Sequence, residues 1–168
     1  MAERSFAQSI EIAAAPAVVH AFLADLHRHR DLHPLIERIE DLPAQPGRTD
    51  VRRYRVTDRM HLGPLSFRIA YVAEIKAIPP DLILGTAWQS PGVELRTRYR
   101  IAPMPDGRTL VSEDVLLKAP FVLIGYAQRQ AAAAHRETFA KLKLLLERDS
   151  ARDAAPAREQ RQQSSSSA

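Results

Sequence analysis

A chain of 168 residues with 45% hydrophobic and 26% charged residues has the length and composition of one soluble globular domain. Its net charge of +4 is too small to indicate nucleic-acid binding, and the absence of cysteine excludes disulfide bonds and thiolate chemistry. No signal peptide and no apolar stretch long enough to span a bilayer are recognisable, so we expect a cytoplasmic protein.

The first quarter of the chain predicts a strand, two helices and a second strand. Residues 5–12 alternate between apolar and polar side chains, which is typical of a strand. Pro16 then opens a helix, because proline is tolerated in the first helical turn. Residues 27–34 predict a second short helix that ends at a proline, and residues 35–42 predict the next strand.

A series of strands separated by turn signals follows. The predicted strands are 49–59, 65–76, 82–88, 93–101 and 108–118. Tyr54 and Val56 mark the inner face of the first of these, and Trp88 marks that of the third. Successive strands joined by tight turns must be antiparallel.

One long helix, predicted over residues 119–149, closes the domain. Its apolar face is predicted to contain Phe121, Ile124, Gln128, Ala131, Ala132, His135, Phe139, Leu142 and Leu146. Residues 150–168 lack periodicity and apolar content, so they predict a disordered polar tail after a ligand-binding domain of residues 1–149.

These elements predict an α+β fold in which a seven-stranded antiparallel sheet wraps around the final helix. One face of the sheet is rich in arginine and the other is apolar, with only the long helix to cover it. A curved sheet around a single helix leaves a concave, mostly apolar space, which is the usual form of a small-molecule site.

The opening strand, Pro16 at the start of a helix, Asp25 followed by the pair His33-Pro34, and a final helix preceded by Pro120 resemble the START/polyketide-cyclase superfamily. This superfamily is also called SRPBCC or birch-pollen-allergen-like, and the resemblance covers residues 4–149. It implies a helix-grip fold with a hydrophobic cavity. Its members include lipid and coenzyme Q binders, plant hormone receptors and polyketide aromatase/cyclases. We expect no cofactor.

Polar and aromatic side chains on predicted inward positions are the candidate site. The candidate ligand-binding set is Phe67, Tyr71, Trp88, Thr97, Tyr99, Glu113, Gln128, Ala131, Ala132 and His135. A carboxylate on an inner face is costly to ionise without a partner, so Glu113 would pair with His135 or have a raised pKa. These two residues are also the catalytic candidates. The alternatives are a purely structural hydrogen bond and a strand shifted by one residue, which would turn Glu113 outward.

Three other features have competing interpretations. The four alanines of 131–134 either leave room for a ligand or only favour the helix. The histidines at 27, 29 and 33 lack the spacing of a zinc motif, so no metal site is expected. The arginines at 53, 55, 68, 96, 98 and 100 are interpreted as a solvated sheet face rather than as a phosphate-binding strip.

The leading functional hypothesis is a non-catalytic protein that binds or carries a small hydrophobic molecule, such as a lipid, polyketide or isoprenoid-like compound. The second is a cofactor-free polyketide cyclase or dehydratase in which Glu113 and His135 act as acid and base. The third is a lipid-dependent interaction module that contacts a membrane or a partner protein through apolar residues near Phe121. No nucleophile–base arrangement in the sequence requires catalysis, so binding ranks first.

Overall fold

The computed structural model describes the backbone of residues 1–165 and the side chains of 1–61 and 63–152. Within that part of the chain, a strand, two short helices, six strands and a long helix follow one another in the predicted order. The strands are β1 (Ala2–Ile12), β2 (Ile36–Leu42), β3 (Arg52–Leu62), β4 (Leu65–Ile78), β5 (Leu82–Gln89), β6 (Val93–Pro103) and β7 (Thr109–Ala119). The helices are α1 (Pro16–Leu23), α2 (Leu26–His29) and α3 (Ile124–Ser165).

The seven strands form one antiparallel sheet in the order β1-β7-β6-β5-β4-β3-β2. The first and last strands of the chain are neighbours and pair along their whole length, from Ala2 opposite Ala119 to Ile12 opposite Thr109. The other strands from β2 to β7 pair with their neighbours in sequence, as tight turns require. The predicted helix-grip architecture is confirmed.

The two short helices close one end of the inner face of the sheet. Pro16 occupies the start of α1, where its missing N–H group costs nothing. The carboxylate of Asp25 caps α2 by accepting a hydrogen bond from the amide of His27. The second helix is shorter than predicted, because α2 ends at His29 and the chain reaches Pro34 through turns.

The start of α3 differs from the prediction. Strand β7 continues to Ala119, and residues 120–123 form a turn in which the carbonyl of Pro120 accepts hydrogen bonds from the amides of Leu123 and Ile124. The sequence pattern predicts Phe121 on the buried face of the helix, but this residue lies in the turn and is 81% exposed. Further along, the buried stripe of α3 consists of Ala134, Thr138, Phe139, Leu142 and Leu146.

The end of α3 also differs, because the helix continues past Asp149 to Ser165. Residues 150–165 contain four alanines, three arginines and three glutamines, which favour a helix by their intrinsic propensity. The backbone of 150–165 is therefore helical where the sequence predicts disorder, and 166–168 lie outside the described residues. The division of the chain at Asp149 stays a prediction. Among the described residues, no helix combines the length and the hydropathy that crossing a membrane would need.

Helix α3 packs on β1 and β7 and is fixed there by polar contacts. The ammonium of Lys143 donates to the carbonyl of Glu11 at 2.6 Å and pairs with Glu147 at 2.7 Å. Glu147 in turn accepts a hydrogen bond from the amide of Ala13. These contacts hold the middle of α3 against the end of β1, while its first turns face β3 to β6 across open space.

The outer face of the sheet is covered with ion pairs, in agreement with the solvated face predicted from the arginines. Four of the six predicted arginines pair with carboxylates: Arg53 with Glu74, Arg68 with Glu37, Arg96 with Glu94, and Arg100 with Asp114. Pairs of this kind are worth little when exposed. They nevertheless neutralise the strip that a phosphate-binding surface would need.

One buried hydrogen bond joins the start of β7 to the segment that leads into α1. The hydroxyl of Thr109 donates to the carbonyl of Ala14 at 2.6 Å, and neither residue is solvent-exposed. We expect Thr109→Val to lower the free energy of unfolding by about 1–2 kcal/mol, because the buried carbonyl loses its donor. Urea denaturation measures this change. The exposed control Thr49→Val should change stability by less than about 0.5 kcal/mol, and equal effects would contradict the assignment.

Candidate functional site

A cavity of about 390 Å³ lies between the first turns of α3 and the inner face of the sheet. This volume falls within the range of about 300–1,000 Å³ that is typical of small-molecule sites. Its wall is mostly apolar. The lining residues are His33, Leu35, Asp58, Met60, Phe67, Ile69, Tyr71, Ala87, Gln89, Ser90, Pro91, Val93, Leu95, Leu117, Leu123, Tyr126, Ala127, Gln130, Ala131, Ala134 and His135.

The predicted ligand-binding residues fall into three groups in the structure. Those that line the cavity are Phe67, Tyr71, Ala131 and His135. Those on the inner face of the sheet that do not reach the cavity wall are Thr97, Tyr99 and Glu113. Those that are half-buried on α3 without lining it are Gln128 and Ala132. The tenth residue, Trp88, points away from the site.

The orientation predicted for β5 is wrong by one residue. Trp88 pairs with Glu94 on β6, and its side chain is 42% exposed on the outer face. The inward residues are Ile83, which is fully buried, and Ala87, which lines the cavity. Gly85 lies between them, and a Cβ atom there would be 3.4 Å from Ile75. A small residue at this position lets the sheet curve closely around its contents.

The predicted pair of Glu113 and His135 is present. Glu113 lies on β7 with 1% exposure, and its Oε1 is 2.6 Å from Nδ1 of His135 on α3. The other carboxylate oxygen accepts a hydrogen bond from the Gln8 amide on β1 at 2.5 Å. Because an ionised carboxylate only accepts hydrogen bonds, His135 carries its hydrogen on Nδ1. The pair therefore joins the helix to two strands.

Charge and hydrogen bonding decide the ionisation of Glu113. Burial alone would raise the pKa of this carboxyl, but hydrogen bonds from His135, Gln8 and Tyr99 and the nearby imidazole outweigh it, so the pKa lies below its usual value. Burial beside this carboxylate raises the pKa of Tyr99 well above its usual value. A carboxylate that orients an imidazole whose ring lines a cavity is an arrangement suited to proton transfer as well as to structure.

A second polar pair in the wall joins the predicted Tyr71 to Asp58, which is absent from the set predicted from the sequence. Asp58 on β3 is 6% exposed and accepts a hydrogen bond from the hydroxyl of Tyr71 on β4 at 3.3 Å. Burial raises the pKa of Asp58 to about 6, against a smaller lowering by that hydrogen bond. A signal for this residue exists in the sequence, because Asp58 continues the inward alternation of Tyr54 and Val56.

The three histidines of the cap region are separated in the structure rather than brought together. His27 bonds to Asp41 at 3.1 Å, and His29 stacks on Phe22 with ring centroids 6.0 Å apart. His33 lies against His135, with ring centroids 6.1 Å apart. Its Nδ1 accepts a hydrogen bond from a backbone amide, and burial together with the nearby His135 lowers the pKa of His33 to about 3. His33 is therefore a neutral wall residue.

A family model described as polyketide cyclase/dehydrase and lipid transport matches residues 3–147. The chain belongs to this family. The match covers all of the sheet except its first residue, together with the part of α3 that lines the cavity, so the START/polyketide-cyclase resemblance is confirmed. A comparison of the sequence with curated proteins found no match.

Solved structures similar to this family member include aromatase/cyclases and a START superfamily protein. The di-domain aromatase/cyclase BexL of the BE-7585A biosynthetic pathway superposes with a TM-score of 0.70 at 16% identity, over 86% of this chain and 50% of that one. The Zhui aromatase/cyclase of Streptomyces sp. R1128 superposes with a TM-score of 0.60 at 15% sequence identity. The match covers 84% of this chain and 94% of that one. A START superfamily protein of Mycobacterium smegmatis superposes with a TM-score of 0.62 at 17% sequence identity, over 86% of this chain and 97% of that one.

These similarities establish the fold of the family member and leave its ligand open. Identities below one fifth carry no residue roles across, and the chain spans about half the length of the di-domain protein. Function depends on the chemistry of the cavity itself, because one fold can carry many functions.

Exposed apolar side chains lie in two segments that also contribute the cavity-lining residues Phe67 and Leu123. Leu65 and Phe67 project from the start of β4 with 66% and 42% exposure, and Phe121 and Val122 project from the turn before α3 with 81% and 84% exposure. The hydroxyl of Tyr126 donates to the carbonyl of His61 at 2.8 Å and joins the first turn of α3 to the end of β3. The hypothesis that this family member is a membrane or partner interaction module stays a prediction.

A second concave region lies on the opposite side of the sheet. A groove of about 520 Å³ crosses β1, β7, β6 and β5 and includes Leu84, Leu116, Arg96, Arg98 and Asp114. It carries guanidinium and carboxylate groups, whereas the cavity under α3 is mainly apolar. Of these two concave surfaces in the described part of the chain, the one beneath α3 has the chemistry of a site for an apolar molecule.

Proposed function

We propose that this protein binds a small hydrophobic molecule, such as a lipid, polyketide or isoprenoid-like compound, in the cavity between its sheet and α3, and that it does so in the cytoplasm. The cavity carries the proposal: about 390 Å³ of space is bounded mostly by apolar side chains. Protein interiors are normally close-packed, so a space of this size in the middle of a small domain favours a ligand-binding role.

The physical basis of the proposed affinity is burial of apolar ligand surface. A ligand that loses about 200 Å² of apolar surface to the cavity gains about 5 kcal/mol before the cost of immobilising it. The polar pairs in and behind the wall would fix its orientation. Ala131 and Ala134 contribute by leaving space beneath α3, since both line the cavity and both carry only a methyl group.

Filling the cavity should weaken binding. We expect Ala131→Phe to weaken the binding of the fluorescent apolar probe N-phenyl-1-naphthylamine by at least about tenfold, because the ring occupies space that the probe needs. The matched control is Ala133→Phe, two residues along on the exposed side of the same helix, which should bind as the unmodified protein does. Titration of probe fluorescence measures both. Equal binding by the two variants would contradict the proposed site.

A second candidate function has a specific observation in its favour. His135 lines the cavity while its Nδ1 is hydrogen-bonded to the buried Glu113, so the imidazole is held in one orientation toward the cavity. This supports a cofactor-free cyclase or dehydratase in which His135 moves a proton and Glu113 stabilises the imidazolium.

The two functions differ in what His135 does. If the protein is an enzyme, turnover of an aromatic polyketide precursor should fall by at least about a hundredfold in His135→Ala, while binding of N-phenyl-1-naphthylamine changes little. If it only binds, no turnover should be found in the unmodified protein and His135→Ala should alter affinity alone. Thermal unfolding of the variant serves as the control for its folding.

A further inference from the structure

The charges in the cavity wall are unequal. Among the side chains that the structure describes, one carboxyl group lines the cavity, that of Asp58, and no lysine or arginine does. The basic groups in the wall are the imidazoles of His33 and His135. His33 is neutral because its Nδ1 accepts a hydrogen bond, and His135 is already paired with Glu113. The wall therefore offers an anionic group to a ligand without a cation to match it.

Asp58 is incompletely satisfied. The residue is 94% buried, and the hydrogen-bond partner of its carboxyl in the described part of the chain is the Tyr71 hydroxyl, at the long distance of 3.3 Å. No described lysine, arginine or histidine lies within ion-pair distance of it, although several other carboxylates of the protein have such partners. An ionised carboxylate has about four acceptor positions, so most of its capacity faces the cavity unused. A buried carboxyl in this state is costly, and a donor from a ligand would relieve that cost.

We infer that the bound molecule is uncharged or cationic and donates a hydrogen bond to Asp58 from a hydroxyl or protonated amine. This inference rests on the proposed function and names the ligand class of the same cavity. A molecule with a carboxylate or phosphate group is rejected, because its charge would meet Asp58 in an apolar enclosure with no compensating cation. Tyr71 positions the carboxyl by holding one of its oxygens, which leaves the other for the ligand.

Polar groups lie on two sides of the cavity, with apolar side chains between them. The polar groups of the cavity lie on different elements, with Asp58 and Tyr71 on the β3–β4 side and His135 on α3. The apolar body of a ligand fills the space between, against side chains such as Ile69, Leu95 and Leu117. Orientation is therefore set at the Asp58 end by a donor, while the body contributes most of the affinity.

Four probes with one aromatic body test the inference. Naphthalene, 2-naphthol, 2-naphthylmethylamine and 2-naphthoate are each titrated at pH 7.5 as competitors of N-phenyl-1-naphthylamine. We expect the naphthol and the amine to bind at least about tenfold more tightly than the naphthoate. In Asp58→Asn, which keeps the shape of the side chain, this preference should shrink to about threefold or less. The exposed control Asp31→Asn should keep the full preference.

The outcomes separate this inference from the proposed function. If naphthalene binds but the naphthoate binds as tightly as the naphthol, the inference is overturned and the cavity remains a binding site. The inference is also overturned if Asp58→Asn is folded by circular dichroism and keeps the unmodified preference. If neither naphthalene nor any derivative displaces the fluorescent probe, the proposed function is overturned together with the inference. If the preference is lost in Asp58→Asn but kept in Asp31→Asn, the result supports both the inference and the proposed function.

Discussion

Replacement of Glu113 by alanine is expected to lower the free energy of unfolding by about 3–5 kcal/mol. The carboxylate is 1% exposed and accepts hydrogen bonds from Gln8 on β1 and from His135 on α3. Removing it leaves an amide and an imidazole without their partner in the interior, and each unsatisfied buried group costs free energy. It also leaves a void where a large side chain was packed.

Urea denaturation at pH 7.5 measures this change, and the next residue on the strand is a matched control. Asp114 points outward, pairs with Arg100, and its side chain is 52% exposed. Asp114→Ala should therefore cost less than about 1 kcal/mol. Glu113→Gln should fall between the two, because the amide keeps the shape and part of the hydrogen bonding. Similar values for Glu113→Ala and Asp114→Ala would contradict the structural role assigned to the buried pair.

Acidification from pH 7.5 to pH 5 is expected to destabilise the protein through two histidines. Burial lowers the pKa of His29 to about 4 and that of His33 to about 3, from a usual value of 6.5. Both are neutral in the folded protein and take up protons only when it unfolds. Their contribution to stability is thus fully present above pH 6.5 and is lost as the pH falls from there toward their folded pKa values. We expect a loss of about 4 kcal/mol for the pair at pH 5, about 2 kcal/mol from each histidine.

Asp58 opposes the loss of stability between pH 7.5 and pH 5. Its pKa is raised from 3.8 to about 6, so the folded protein binds a proton more readily than the unfolded chain does. Its effect on stability therefore improves as the pH falls through 6, by about 1 kcal/mol at pH 5. The histidines prevail because there are two of them and each pKa shift is larger.

Urea denaturation at pH 7.5, 6 and 5 tests the acid dependence. In the double variant His29→Leu/His33→Leu, stability should fall little over this range and should rise slightly if Asp58 dominates. The control His61→Leu removes an exposed histidine and should keep the acid sensitivity of the unmodified protein. A double variant that loses as much stability as the unmodified protein would show that other groups are responsible.

Much of the fold can be predicted because inward and outward side chains alternate clearly in most of the strands. Strand β4 is clear since the large side chains of Phe67, Ile69 and Tyr71 alternate with smaller or polar residues such as Ser66, Arg68 and Ala70, and the structure places the large three in the cavity wall. Strand β5 is different. Leu82, Ile83 and Leu84 are consecutive apolar residues, so period two does not distinguish the faces there. The large ring of Trp88 favours an inward position on the sequence alone, but a glycine and an alanine point inward instead.

Two parts of the site are not predicted from the sequence, namely Asp58 and the residues of α3 that line the cavity, and each has a physical reason. Carboxylates are usually exposed, so Asp58 is not an obvious wall residue although it shares the inward phase of Val56. The faces of α3 are harder to predict, because a helix that begins at Ile124 rather than at residue 119 changes which residues lie over the cavity. Gln130 and Ala134 line it, whereas Gln128 does not. Such a difference depends on tertiary packing and not on local sequence pattern.

The central claim is that an apolar molecule enters the cavity beneath α3, and a methyl-labelled NMR titration with naphthalene tests it directly. We expect the methyl signals of Ile69, Leu95 and Leu117, which line the cavity, to shift in a saturable manner. The signals of Leu84 and Leu116, in the groove on the other side of the sheet, should stay in place. Shifts confined to those two leucines, or no shift at any cavity methyl group, would contradict the claim.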